Sequence, residues 1–337
     1  MSLEILGITV LWFFLYGYLI VASIDFGAGF FAYYSRRTKT DHLVNNIIQR
    51  YLSPVWEVTN VFLVFFLVGL IGFFPSSAYY YGTALLVPGS IALVLLSLRG
   101  AFYAFAHYGA RDSISYYGIY GITGLLLPAT LSLVLVVSEG GFIVEEGNKV
   151  ILLMGKLLST PYTYAVIFLA LVSVLFISAT FLTFYANKAN DKGATTLLHS
   201  YAMIWALPTI LASLLVFWTI RGHNPDHFAK MVDNSWFFIA SFLFFAVAAF
   251  LLYKRKGYGW AFVCVMLQFF FAFFGYGKAH LPFILYPYIT VTEGINSPQM
   301  MKALLIGFIA GLCLLIPSLI LLMRLFLFDA KYVQGKK

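Results

Sequence analysis

Charge is what this chain has least of. Only 10% of its 337 residues are Asp, Glu, Lys or Arg, whereas 62% are hydrophobic. A soluble domain is about a quarter charged and about half apolar. This composition cannot cover a water-facing surface, so the solvent is lipid. Cysteine is scarce as well. Cys264 and Cys313 both stand in apolar runs, which argues against a disulfide framework and for packing roles. There is no phosphate-cradling loop, dinucleotide fingerprint or nucleophile motif, and hence no assigned catalytic residue. Histidine is missing from the middle of every apolar run. His42, His107, His199, His223, His227 and His280 all fall at run ends or in loops. A bis-histidine haem or an embedded copper site within the chain is therefore not expected. His223 and His227 lie four apart beside Asp226. Without a further evident ligand they read as solvated loop histidines, so no metal site is assigned. Met203 and Met266 read as gap-filling core residues. The N-terminus has neither a basic region before its apolar run nor a small-residue cleavage site after it. It is expected to be a retained first helix.

Long apolar runs are what the chain does have. Nine are long enough to cross a bilayer at about 20 residues per crossing: 5–34, 51–74, 78–107, 116–138, 161–186, 197–220, 235–253, 258–277 and 301–326. The expected fold is an all-α polytopic membrane protein, with residues 1–337 forming one integral-membrane domain of nine transmembrane helices. Residues 1–138 and 161–277 would form two four-helix bundles, and 301–326 a peripheral ninth helix. Pro54, Pro75, Pro161 and Pro298 punctuate run ends, while Pro88, Pro128, Pro208 and Pro317 fall inside runs. The glycine-rich stretch GIYGITG at 118–124 lies in a span and predicts close helix packing. With the N-terminus outside, 14 basic residues fall in cytoplasmic segments and six outside. The positive-inside rule then gives an N-out, C-in topology. The net charge of +8 is accounted for by those loops rather than by a nucleic-acid partner. The nearly uncharged outer loop 277–299, with Pro282, Pro287 and Pro298, is expected to fold back on the outer surface or to cover a neighbour.

Three charges stand inside apolar runs: Asp25, Glu57 and Arg99. Each costs about 2.5–3.5 kcal/mol in hydrocarbon even on the mildest scale, so each should face protein and a partner. Counted from the nearest cytoplasmic basic residue, they lie about 16, 10 and 18 Å deep along a helix. All three occupy the cytoplasmic half of a core about 30 Å thick. Asp25 and Arg99 match best in depth and are paired. Two acids against one arginine leave one negative charge over, and a carboxylate in a dry site tends to take up a proton. Glu57 is therefore the candidate titrating acid. One reading is a proton path from the cytoplasmic side; the other is an ion pair that only pins three helices together. Trp56 is expected at the membrane interface, and Asn60, one turn from Glu57, as its support or as a helix-to-helix bond.

The order of these motifs resembles subunit II of the cytochrome bd-type quinol oxidases. Asp25-Phe26-Gly27-Ala28-Gly29 is similar to the F-D-L-G context of that family's first helix. Val55-Trp56-Glu57-Val58-Thr59-Asn60-Val61-Phe62 resembles V-W-D-G-N-x-V-W in its second, Leu98-Arg99-Gly100 its F-R-G, and Ser297-Pro298 the segment before its last span. Val58, Thr59, Phe62 and Glu57 depart from the pattern and mark a divergent branch. The resemblance implies a complex in the plasma membrane of a bacterium or archaeon that oxidises quinol and reduces dioxygen to water. Haems b and d and the quinol site would belong to subunit I. This chain would bind no cofactor and would support the haem region and a cytoplasmic proton path. Its partners would be subunit I, membrane lipids and the quinone pool, with room for a small single-helix subunit. Two other classes compete. An ion-coupled secondary transporter would use Asp25, Glu57 and Arg99 but predicts inverted repeats and broken helices in both halves. A purely structural assembly subunit would need the cluster only for packing.

Overall fold

The computed structural model describes residues 3–108, 114–147, 149–293, 297–322 and 324–325; side chains at 46, 49–58, 103–108, 298 and 322 lie outside that description. Twelve helices carry these residues: α1 (Leu3–Arg37), α2 (Asp41–Phe73), α3 (Pro75–Ala84), α4 (Leu86–Tyr108), α5 (Ile114–Ser138), α6 (Met154–Ser159), α7 (Pro161–Lys188), α8 (Lys192–His223), α9 (Pro225–Asp233), α10 (Ser235–Tyr253), α11 (Tyr258–His280) and α12 (Pro298–Leu322). Two short antiparallel hairpins join them, β1 (Ile143–Glu146) with β2 (Lys149–Leu152) and β3 (Phe283–Leu285) with β4 (Ile289–Thr290).

Among the described residues seven helices are long and apolar enough to cross a membrane, or eight if one bent pair counts as a single span. The expected nine differ in the second and third runs. The second helix begins at Asp41, ten residues before the expected run, so Pro54 lies within it. The chain then turns by 118° between α2 and α3. Pro75 is the cause. A proline disfavours helical geometry in the residue before it and suits the first position of the next helix. Phe74 accordingly leaves the helix at φ −131°, ψ 70°. Residues 75–84 thus form a separate short helix rather than the start of the third span, and Leu85 (φ −93°, ψ 19°) separates it from α4.

The helix α7 is the centre of the molecule. Its apolar window is 72% buried, against 11% for α10 and α12. It packs on α8, α1, α5 and α11, while α12 rests on α2 and α1 at the edge. Both the α1–α7 and α5–α7 contacts join residues from the two expected bundles. Small residues make the first of them close: a Cβ on Gly27 would collide with Ser178, and the Ser178 hydroxyl donates to the Ile24 carbonyl at 2.8 Å. Backbone approach of this kind drives helix association where lipid supplies no hydrophobic force.

Candidate functional site: two buried ionic clusters

Asp25 on α1 and Arg99 on α4 meet, as their depths predict. Asp25 is 2% exposed and Arg99 1%. Arg99 Nε donates to Asp25 Oδ2 at 2.9 Å, and Nη2 to the Asp25 carbonyl at 2.6 Å. Arg99 Nη1 reaches into α5, donating to the Tyr120 carbonyl at 3.0 Å and meeting the Thr123 hydroxyl at 3.5 Å. The Tyr120 hydroxyl donates to Asp25 Oδ1 at 3.1 Å, and the guanidinium lies 4.2 Å from the Tyr120 ring centre. Phe102 stacks on the far side of that ring at 4.0 Å. Hydrogen bonds between a guanidinium and a carboxylate are charge-assisted, the stronger class, and Tyr120 and Phe102 wall the pair with aromatic rings.

The glycines around the pair allow this approach. A Cβ on Gly29 would lie 2.8 Å from the Tyr120 carbonyl and 3.2 Å from both Nη atoms of Arg99. One on Gly124 would collide with the Phe26 carbonyl, and one on Gly121 would lie 2.7 Å from Tyr33 Cβ. The glycine-rich stretch at 118–124 therefore does pack closely, and what it packs against is the aspartate helix. Tyr120 and Thr123 are hydrogen-bond partners of the pair that no charge pattern marked. The only signal for them was the glycine spacing on either side.

Glu57 and Trp56 fall among the side chains outside the described set, and their expected roles stay expectations. Their helix, α2, packs against α1. Asn60 on the same helix is partly buried and Thr59 beside it is buried.

A second cluster lies at the other end of α5 and was not anticipated. Glu139 is 2% exposed. His227 Nδ1 lies 2.8 Å from both of its carboxylate oxygens. His280 Nδ1 lies 3.4 Å from Oε1, the Tyr276 hydroxyl donates to Oε1, and Asn224 Nδ2 donates to Oε2 at 3.0 Å. Local sequence explains the assembly. Asn224 caps α9 by accepting from the His227 amide at 3.1 Å, and Pro225 occupies the first helical position. One face of this short helix then points His227 inward. Gly140 and Gly141 follow the glutamate at φ +83° and +80°, a conformation natural to glycine. There the chain doubles back, and the Tyr286 amide donates to the Ser138 carbonyl at 2.9 Å. Loop 281–290 thus folds onto the chain's own surface. Burial opposes ionisation of Glu139, but the hydrogen bonds and charges of His227 and His280 outweigh it and hold the carboxyl well below its usual range. The expected solvated pair of His223 and His227 is corrected: His227 is 4% exposed, and its partners come from α5 and α11 rather than from Asp226.

Four histidine side chains turn Nε2 toward a backbone carbonyl: His199 to Leu252 at 2.8 Å, His223 to Gly140 at 3.1 Å, His227 to Tyr276 at 3.3 Å and His280 to Ile284 at 3.4 Å. His42 is exposed, and the side chain of His107 lies outside the described residues.

Comparison with known proteins extends over nearly the whole chain. The profile of a family described as cytochrome bd terminal oxidase subunit II matches residues 3–326. A Bacillus subtilis (strain 168) protein, named putative cytochrome bd menaquinol oxidase subunit II, is 34% identical over 345 residues, covering 99% of this chain and 98% of its own length. A chain in the structure of the bd oxidase from Geobacillus thermodenitrificans aligns with a TM-score of 0.85 at 54% identity, covering 98% of this chain and 100% of that one.

Proposed function

Because the chain belongs to the cytochrome bd terminal oxidase subunit II family, we propose that it is the haem-free subunit of a quinol:oxygen oxidoreductase in a bacterial membrane. It would support a haem-bearing subunit I and contribute a proton path from the cytoplasmic side. The observation that carries this reading is a family match from residue 3 to 326 in a chain whose first, fourth and fifth helices converge on a buried Asp25–Arg99 pair. Menaquinol, the donor in the name of the Bacillus subtilis relative, is the quinol class proposed here. When bound in the partner, haems b and d supply electron transfer from quinol and reduction of dioxygen to water. Four described histidines turn Nε2, a common axial ligand atom, toward backbone carbonyls, which supports placing the haems outside this chain.

The chain's own residues hold and move protons. Arg99 and Asp25 neutralise each other and fix α1, α4 and α5 in register. Glu57, on a helix that packs against α1, adds a carboxylate to the same half of the span. A carboxylate taken out of water can cycle between protonated and ionised forms. Asn60, one turn on, would orient it. Turnover of the purified two-subunit complex tests the reading. Glu57→Gln should slow quinol-driven oxygen consumption at least about tenfold while leaving the haem absorption spectrum intact. Loss of haem or of subunit I would instead assign Glu57 to assembly, and unchanged turnover would remove it from the path. The family match leaves no observation favouring a transporter.

A further inference from the structure

The cluster at Glu139 has no part in the inner proton path, yet it is built like a binding site. Two imidazole nitrogens and one carboxylate oxygen, from Glu139, His227 and His280, lie within 4.8 Å of one another. They come from three separate elements: the end of α5, α9 and the end of α11. The hydrogen bonds around them decide which atoms face inward. Nε2 of His227 faces the Tyr276 carbonyl and Nε2 of His280 the Ile284 carbonyl. A carbonyl oxygen only accepts, so each Nε2 carries a proton; Nδ1 then holds a second proton in the imidazolium, and presents a lone pair once that proton is displaced. Both Nδ1 atoms are aimed at Glu139. The three ligand atoms converge in a buried space, where a metal cation can take the place of the protons on Nδ1. The outer contacts match those that orient metal ligands: imidazole N–H to backbone carbonyl, and a carboxylate held from behind by Asn224 and Tyr276.

We infer that Glu139, His227 and His280 form a binding site for a divalent first-row transition cation, zinc fitting best. Two imidazoles and a carboxylate suit zinc, whereas magnesium and calcium prefer oxygen-only shells. Ligand atoms about 2.0–2.2 Å from one tetrahedral ion stand about 3.3–3.6 Å apart. The His280 Nδ1 to Glu139 Oε1 separation is already 3.4 Å, and His227, at 2.8 Å, needs to withdraw by about half an ångström. A cavity of about 430 Å³ lined by Asn224, Asp226, His227, Lys230, His280 and Tyr286 borders the group, giving an entry path and room for a fourth ligand such as water. The ion would tie α5, α9 and α11 together at the end of the bundle remote from the Asp25–Arg99 pair.

The test uses the purified two-subunit complex, stripped with a chelator and titrated with zinc against a chromophoric competitor. One zinc per complex is expected. His280→Ala, at the least buried of the three side chains, should weaken binding at least about tenfold, with haem spectrum and subunit content unchanged. His280→Cys keeps a ligand in place, and zinc-edge absorption should then gain a sulfur shell near 2.3 Å. This variant carries the test if the alanine form fails to assemble. The proposal falls if the wild-type complex takes up no stoichiometric zinc, if His280→Ala binds as tightly, or if the cysteine form shows nitrogen and oxygen neighbours alone.

Discussion

Arg99 is the residue on which the inner cluster depends. Its three nitrogens reach two neighbouring helices, so removing it strips several buried acceptors of their donor at once. Breaking a buried pair from one side costs about 3–5 kcal/mol, whereas replacing both partners with apolar groups is often close to neutral. Arg99→Leu should therefore lower the thermal stability of the complex sharply, and Arg99→Leu with Asp25→Leu should recover part of the loss. Equal losses in the single and double variants, followed by thermal release of haem from the complex, would contradict the coupling. The pair itself was legible in the sequence because a charge in an apolar run stands out and depth can be counted from the basic edge. Its neutral partners, Tyr120 and Thr123, were not, since a tyrosine or threonine in a span carries no such mark. Glu139 was hidden for a different reason. It opens a polar, glycine-containing loop, and its partners His227 and Tyr276 come 88 and 137 residues later.

At the scale of elements, the spans were legible because lipid demands about 20 apolar residues each. The break between α2 and α3 was less so: Pro75 was read as an end but not as a change of direction. Glycines set the spacing of α1 against α5, and that is open to test. Gly124→Ala places a methyl group against the Phe26 carbonyl, a backbone atom that cannot swing aside. Overpacking of this kind costs about 1–3 kcal/mol. The midpoint of thermal aggregation should fall well below that of Gly89→Ala, where a Cβ meets nothing within 4 Å. Matching midpoints would mean that α1 and α5 slide apart without penalty.

For the whole molecule, the proton-path reading needs the N-out topology, because the Asp25–Arg99 pair must lie in the inner half of the membrane. With Cys264 and Cys313 replaced by serine, Glu146→Cys should react with an impermeant maleimide in intact cells. Thr38→Cys should react only after lysis, although both positions are exposed on the chain; the reverse pattern would invert the path. The arrangement of the inner pair also bears on how the protein is made. Synthesis runs from the N-terminus, and Asp25 precedes Arg99 by 74 residues. A lone arginine in the hydrocarbon would cost about 2.5–3.5 kcal/mol or more. Here the aspartate emerges from the ribosome first, so its counter-ion is already in the chain when the arginine is made.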